Sequence, residues 1–321
     1  MRRREFLCGA ITAALPPAAL AQESPRKIGF VSWFAPALAV HADQFRKGMR
    51  DVGYAEGRDV VIESYFTDGD RERTREVVRK LVQGNVRVLV IEATPAIAVA
   101  KQEAPLVPIV MAAVSDPIAA GFAQTLSRPG GNLTGRTMFG PDLAGKRIEL
   151  LQEIQPSLRT VAFLGSSMDP NTITFVRATQ AGTDQSGLKL IVQPVEGPKA
   201  IDATVFDAMK RNGAEAVIVQ PIFAGHQARI VSLANGAGLP VIADWAMFAE
   251  AGAVLTYGID DLAQMRRAAY FVDRILKGSS PGELPIEQPT ETRLAVNVGA
   301  ARRFGWTIPT TLIARADDVI E

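Results

Sequence analysis

The feature that most constrains the fold is a repeated alternation of short apolar runs with longer amphipathic segments. In the first part of the chain the runs read KIGFVSW, DVVIESYF, VRVLVIE and VPIVM, and each precedes a helical pattern. The runs are almost continuously apolar, which is typical of strands that are buried on both faces of a parallel sheet. This pattern predicts consecutive βαβ units.

The same alternation starts again after a glycine-rich break at residues 129–132. The second set of strand candidates reads TVAFLG, LKLIVQPV, AVIVQP, PVIAD and AVLTY. Two βαβ series in one chain predict an α/β protein with two doubly wound, Rossmann-like lobes and a crossing near residues 131–138. The tail contains an extended segment, EQPTETRLAVNV, which we expect to cover the edge of one of the sheets.

The first 21 residues, MRRREFLCGAITAALPPAALA, form a separate segment. A basic start, an apolar stretch from Phe6 to Leu20 and a small residue at Ala21 predict a signal peptide over residues 1–21. Its roughly 15 apolar residues, interrupted by two prolines, are fewer than the ~20 that a membrane-spanning helix needs. The arginines fit both a twin-arginine signal and an ordinary secretory signal, so both export routes remain open.

The composition excludes several classes of protein. With 321 residues and 47% hydrophobic content the chain can bury a large core. Its 35 basic residues nearly balance 34 acidic ones, which gives no reason to expect a nucleic acid as partner. Cys8 is the single cysteine and lies in the predicted signal peptide, so the mature chain has no disulfide and no thiolate metal site.

The motifs of common α/β enzymes and cofactor-binding proteins are also missing. Neither GxGxxG nor a P-loop follows the first strand, and neither GxSxG nor HExxH occurs. His41 and His226 stand alone and are interpreted as surface or helix-start residues. Asp68, Asp70 and Glu72 alternate with arginines, a pattern that favours a solvated helix start. We therefore expect no catalytic residue, no metal and no cofactor.

In doubly wound sheets the ligand lies beyond the carboxyl ends of the strands, where helix N-termini converge. The residues at those ends combine hydroxyl groups that suit a carboxylate, acids that suit an ammonium group, and aromatic rings at Trp33, Trp245 and Tyr257 that would cover an apolar side chain. This combination predicts a small zwitterionic or carboxylated ligand. Each of the three pairs Thr94-Pro95, Asp116-Pro117 and Asp169-Pro170 can also be a helix cap and first-turn residue without any ligand contact.

Three segments resemble the periplasmic substrate-binding proteins of ABC transporters. They are VPIVMAAVSDPIAAGFAQTLSRPGGNLTG, AVLTYGIDDLAQMRRAAYFVDRILKG and the C-terminal LAVNVGAARRFGWTIPTTLIARADDVIE. The match is to the subgroup that includes binders of tryptophan and of other aromatic or branched amino acids. It covers essentially the whole mature chain, although the apolar first loop, residues 33–41, does not carry over a ligand identity.

The resemblance implies a type I periplasmic binding protein fold, with lobe 1 formed by residues 26–136 plus 257–284 and lobe 2 by residues 137–256 plus 285–321. The ligand would lie between the lobes and be enclosed by closure about a hinge. The ligand-binding residues that the resemblance implies come from both lobes: Ser32, Trp33, Thr94, Ala113, Ser115, Asp116, Ser166, Asn171, Gln220, Asp244 and Tyr257.

On this basis the chain is expected to be the non-catalytic, extracytoplasmic solute-binding component of an ABC importer. It would be located in the periplasm, act as a monomer and deliver a small carboxylated ligand, such as an aromatic or branched amino acid, to a permease in the inner membrane. Two alternatives stay open. A receptor that presents the ligand to a sensor kinase would use the same fold, and an α/β enzyme would show turnover of the bound ligand.

Overall fold

A computed structural model of the protein describes residues 24–138 and 141–321, without the side chains of Ala113, Pro141 and Asp142. The predicted signal peptide lies outside the described residues. The side chain of Ala113, one of the predicted ligand-binding residues, also lies outside them, although its backbone belongs to a strand.

The first of two sheets has five parallel strands in the spatial order β2-β1-β3-β4-β5. Its strands are β1 (Arg26–Ser32), β2 (Val60–Phe66), β3 (Val88–Glu92), β4 (Ile109–Val114) and β5 (Leu133–Thr137). The helices that follow β1, β2 and β3 are α1 (Ala39–Asp51), α2 (Arg71–Gln83) and α3 (Thr94–Glu103). Strand β3 is buried along its whole length, as its continuous apolar run predicted.

Strand β5 was not predicted, because it lies in a stretch that reads as a turn and a crossing. Gly135 in this strand has a φ of 133°, and a methyl group there would overlap the backbone oxygen of Met111 in β4. Glycine is therefore the residue that lets β5 lie against β4, since it has no Cβ.

The second sheet has seven strands in the order β12-β11-β10-β9-β8-β6-β7. Its strands are β6 (Thr160–Ser166), β7 (Lys189–Val195), β8 (Ala216–Val219), β9 (Val241–Ala243), β10 (Leu255–Ile259), β11 (Thr292–Asn297) and β12 (Asp318–Ile320). Its helices are α4 (Pro141–Ile154), α5 (Thr172–Gln185), α6 (Ala203–Arg211), α7 (Gln227–Gly236), α8 (Ala246–Glu250), α10 (Val298–Arg303) and α11 (Thr310–Ile313). The C-terminal tail joins this sheet, with β11 antiparallel to β10.

The chain crosses between the sheets three times. It leaves the first sheet after β5 and returns after β10, because the following helix α9 (Asp261–Leu276) packs on α1 and on the first sheet. Residues 257–259 still pair with β11 in the second sheet, so this crossing comes later than residue 257. The third crossing precedes β11, after Glu287 has donated its N–H to Gly135. The two α/β units and their connections confirm the predicted fold class.

The contact between α1 and α9 generates the first prediction. A methyl group at Gly48 of α1 would overlap the backbone oxygen of Arg266 in α9, and backbone atoms cannot move aside as a side-chain end can. We expect Gly48→Ala to lower the free energy of unfolding by about 1–3 kcal/mol, measured by urea denaturation.

Gly145→Ala is the matched control, since Gly145 is also helical and nothing lies within 4 Å of the added methyl position. We expect this control to be neutral or stabilising by roughly 0.5–1 kcal/mol, because alanine is the better helix former. Equal destabilisation by both substitutions would contradict the close approach of α1 and α9.

Candidate functional site

A small cavity lies where the carboxyl ends of the strands of the two sheets face each other. Every residue that lines it follows a strand or belongs to the next helix, as expected for a ligand site in open α/β sheets. The lining residues that follow strands of the first sheet are Phe34, Ala93, Thr94, Ser115 and Met138, and those that follow strands of the second sheet are Asp169, Phe175, Pro221, Ile222 and Trp245.

Thr94 and Asn171 connect the two lobes across this cavity. Helix α3 begins at Thr94 itself, after Ala93, so Thr94 is not the helix cap that the Thr-Pro pair suggested. Its Oγ1 instead accepts a hydrogen bond of 3.0 Å from Nδ2 of Asn171, which precedes α5. Ala93 has a φ of 70°, an uncommon conformation for a residue with a Cβ, and such outliers concentrate at ligand sites.

Ser115 and Asp116 have different environments. Ser115 is buried and lines the cavity. The Asp116 carboxylate accepts hydrogen bonds from the N–H groups of Ile118 and Ala119, outside the cavity lining. The prediction that a helix follows Asp116 is wrong, because the chain closes a single turn and reverses at Gly121, whose φ is 71°.

Asp169 is the acid that lines the cavity. Its Oδ1 accepts the N–H of Asn171 and its Oδ2 accepts Nε2 of Gln220 at 2.7 Å, so it does not cap α5 as the Asp-Pro pair suggested. Burial raises the pKa of Asp169 to about 6, and the two hydrogen bonds oppose this shift. Both donors are neutral, so within residues 24–138 and 141–321 the Asp169 carboxylate has no cation as a partner.

Gln220 and Ser166 hold Asp169 in place. The Oε1 of Gln220 accepts hydrogen bonds from the N–H of Ser166 and from Oγ1 of Thr172, so the amide is oriented with its Nε2 toward Asp169. Gln220 is fully buried and Ser166 nearly so, but neither lines the cavity. The structure therefore gives both predicted residues a supporting position behind the lining.

Asp244 is already paired within the second lobe. Nη1 of Arg147 in α4 donates to Oδ1 of Asp244 at 2.6 Å, and both side chains are buried. Burial raises the pKa of Asp244 to about 6, and the Arg147 charge opposes this shift. A carboxylate that is neutralised by a buried guanidinium cannot also neutralise a ligand ammonium group at full strength, so Asp244 is a weaker candidate than Asp169.

The aromatic residues divide into those that line the cavity and those that do not. Trp245 lies in the lining, where its ring packs against that of Phe34 from the other lobe at a centroid distance of 5.5 Å. Trp33 is buried outside the lining, next to Ser32, whose Oγ accepts the N–H of Phe34. Tyr257 lies in a separate groove between α4 and α5, because alternate residues of β10 point to opposite faces of the sheet.

The two histidines also make contacts that the sequence did not predict. His41 lies in the first turn of α1, as a helix-start residue. It is fully buried and forms hydrogen bonds with Glu92 and Asp261, so its interpretation as a surface residue is wrong. His226 immediately precedes α7, as a helix-start residue, and its Nε2 forms a 2.8 Å hydrogen bond with Asp68 of the other lobe.

Several lining residues were missed because nothing in the sequence distinguishes them. Met138, Phe175, Pro221 and Ile222 are ordinary apolar residues near strand ends. Among the described residues no group of three or more acids, histidines or cysteines is arranged to hold a metal ion. In the same part of the chain no helix is long and apolar enough to cross a membrane.

The buried pair of Arg147 and Asp244 generates the second prediction. We expect Arg147→Leu to lower the free energy of unfolding by about 3–5 kcal/mol near neutral pH, because it leaves the Asp244 carboxylate buried without a partner. Burial raises the pKa of Asp244 to about 6 even beside Arg147, so this buried carboxyl group ionises as the pH rises through 6. The loss should therefore be smaller at about pH 4.5, where Asp244 is protonated.

Chemical denaturation at both pH values measures this difference. Lys146→Leu is the matched control, since the neighbouring side chain is 44% exposed and pairs only with the exposed Glu149. We expect this control to change the free energy of unfolding by less than about 0.5 kcal/mol at either pH. An Arg147→Leu effect that does not depend on pH would contradict the proposed cause.

Comparisons with known proteins show the family and the fold of this chain. Residues 29–320 match the family model described as ABC transporter substrate binding protein. A protein of Clostridioides difficile strain R20291 named tyrosine-binding protein is 22% identical over 262 residues, which is 82% of this chain and 75% of the relative.

Two solved structures have the same fold over 92% of this chain and 100% of their own. One is an ABC domain from Streptococcus pneumoniae in complex with L-Trp, with 26% identity and a TM-score of 0.85. The other is a conserved domain protein from Vibrio cholerae, with 25% identity and a TM-score of 0.86. Since the family model spans nearly the whole described chain, the protein belongs to the ABC transporter substrate-binding protein family, whose members are binding proteins and not enzymes.

Proposed function

We propose that this protein is the periplasmic solute-binding component of an ABC importer and that it captures an aromatic α-amino acid between its lobes. The observation that carries this proposal is Asp169, a buried carboxylate that lines the cavity and accepts hydrogen bonds only from neutral groups in the described part of the chain. A buried carboxylate without a cation is unfavourable. A ligand that brings a positive charge removes this penalty, and an ammonium group has the right charge and size.

The opposite lobe offers the complementary site for a carboxylate. Helix α3 is ten residues long and begins at the cavity, so the positive end of its dipole points at this space. The hydroxyl groups of Thr94 and Ser115 lie beside it in the lining. A ligand with an ammonium group and a carboxylate would thus be bound by both lobes at once.

The rest of the lining is suited to an aromatic side chain. Phe34, Phe175 and Trp245 provide rings, and Met138 and Ile222 provide apolar surface. The similar L-Trp complex and the relative named tyrosine-binding protein support an aromatic ligand for this chain. This lining is suited to tryptophan and tyrosine alike, because none of its residues distinguishes an indole from a phenol.

We further propose that binding closes the two lobes about the three crossings. The lobes would comprise residues 26–136 plus 257–284 and residues 137–256 plus 285–321, except that the boundary at residue 257 moves beyond residue 259, because β10 pairs with β11 of the second sheet. The contacts from Asn171 to Thr94 and from His226 to Asp68 join opposite lobes and would form on closure. The closed monomer would then dock on a permease, or on a sensor kinase in the alternative role.

Asparagine at position 169 tests the ammonium site. We expect Asp169→Asn to weaken the binding of L-tryptophan or L-tyrosine by more than about tenfold at neutral pH in isothermal titration calorimetry, since it removes the charge that pairs with the ammonium group. The matching des-amino acid, indolepropionate or hydroxyphenylpropionate, has no ammonium group, so it should bind weakly to the unmodified protein and no more weakly to Asp169→Asn.

Asp207→Asn is the control, because Asp207 is an exposed residue of α6. It should leave the affinity for the amino acid unchanged. If Asp169→Asn weakened the amino acid and its des-amino analogue by the same factor, the ammonium assignment would be refuted. Absence of binding of any amino acid by the unmodified protein would refute the proposed function as a whole.

Small-angle X-ray scattering tests closure. We expect the radius of gyration to fall when a saturating amount of the bound amino acid is added, because the ligand contacts both lobes only in the closed form. Asn171→Ala removes one contact between the lobes and should reduce the affinity, with the same decrease in size at saturation. A radius that does not change on binding would contradict hinge closure.

A further inference from the structure

His41 belongs to a buried cluster of charged groups behind the cavity wall. Its Nδ1 lies 2.6 Å from Oε1 of Glu92 at the end of β3, and its Nε2 lies 2.9 Å from Oδ2 of Asp261 at the start of α9. The side chains of His41 and Glu92 are fully buried, and that of Asp261 is 9% exposed.

The two carboxylates require a doubly protonated ring. A carboxylate only accepts hydrogen bonds, and a neutral imidazole has a single N–H, so it can donate to only one of its two neighbours. Burial lowers the pKa of His41, but the charge of Glu92 and the hydrogen bonds to Asp261 and Glu92 outweigh it and raise the pKa to about 10. His41 is therefore an imidazolium at neutral pH.

The same ring contacts the aromatic wall of the cavity. Its centroid lies 5.7 Å from that of Trp245, at an interplanar angle of 70°, and 6.3 Å from that of Phe34. Phe34 and His41 belong to the first lobe and Trp245 to the second, so the three rings form a cluster that spans the lobes. In an edge-to-face pair the edge of one ring points at the face of the other. A cation within about 6 Å of the face of an indole ring attracts it, and the attraction is strongest where water is excluded.

We propose that His41 is a positioning residue for ligand binding, whose imidazolium attracts Trp245 of the other lobe and so stabilises both the closed form and the aromatic wall. His41 does not line the cavity and acts through Trp245 and Phe34, which do. Glu92 and Asp261 keep the ring charged and oriented. This inference rests on the proposed function, because it concerns the closing of the same cleft on its ligand.

The surroundings of His41 make its charge testable. Strand β3 provides Glu92, α9 provides Asp261, and the loop after β1 and the second lobe provide the rings of Phe34 and Trp245. In the part of the chain that the structure describes, Glu92 and Asp261 are the charged groups that interact with the imidazole. Glu92→Gln keeps an oxygen that can accept from Nδ1 but removes the charge that does most to raise the pKa of His41.

The test compares the His226→Gln protein with His226→Gln/Glu92→Gln. The chain has two histidines, so both proteins contain His41 alone. The affinity for L-tryptophan is measured by calorimetry between about pH 6.5 and 8.5, a range that lies above the pKa of Asp169. We expect the single variant to bind with constant affinity, whereas the double variant should lose about tenfold as the pH rises and the imidazolium loses its proton.

Nitrogen-15 NMR of the His41 ring follows its protonation in the same samples. Constant affinity of the double variant while its ring deprotonates would overturn the proposal, and so would a neutral ring in the His226→Gln protein at pH 7. Absence of tryptophan and tyrosine binding by the His226→Gln protein and by the unmodified protein would instead refute the proposed function.

If the double variant does not fold, or if its His41 ring stays protonated, proton NMR of the unmodified protein provides the test. The carbon-bound protons of the His41 ring should shift when the amino acid is added, because the Trp245 ring then moves against them. Ring protons that stay at the same chemical shift while the ligand binds would overturn the proposal.

Discussion

The parallel pairing of buried strands is the constraint on which the rest of this structure depends. Strands that are apolar on both faces must be covered by helices on both sides, and the crossover connections bring all their carboxyl ends to one edge. In each lobe that edge carries buried polar side chains, such as Ser32 and Thr94 in the first lobe and Ser166 and Gln220 in the second. Because the two edges face each other, residues that are distant in sequence, such as Thr94 and Asn171, become hydrogen-bonding partners.

Charge pairing then decides which of those polar residues remains available to a ligand. Asp244 is neutralised by Arg147, and Glu92 and Asp261 share His41. Asp116 binds the N–H groups of its own turn. Asp169 lines the cavity, and the groups that donate to its carboxylate are a side-chain amide and a backbone N–H, both of which are neutral. The site thus follows from where buried cations are placed as much as from where the acids are.

Much of the fold could be predicted from the sequence. The nine strand candidates all contain or overlap strands of the structure, because a continuous apolar run of five to eight residues has few alternatives in an α/β chain. Strand β5 was missed, since Gly135 is a turn signal in sequence but a close-packing residue in the sheet. The tail was expected to cover a sheet edge, and only its pairing with β10 shows that the sheet is the second one.

The residues of the candidate site were harder to predict from the sequence than the strands. Of the residues that the strand ends suggested, Thr94, Ser115 and Trp245 line the cavity; their role in ligand binding stays a prediction. The strand ends did not show that Tyr257 faces away from the cavity. Successive side chains along a strand point to opposite faces of the sheet, so a shift of one residue reverses the direction of the side chain.

The sequence by itself determined the α/β class, the two series of strands and the sheet edge at which the cavity lies, because local hydrophobic patterns and chain connectivity are sufficient for these. The tertiary structure alone decided which side chains are neutralised and which are not. Residues as far apart as His41 and Asp261, or Arg147 and Asp244, meet only when helices pack on sheets. Electrostatic pairing depends on distances of a few ångströms in space, which separation along the chain does not reveal.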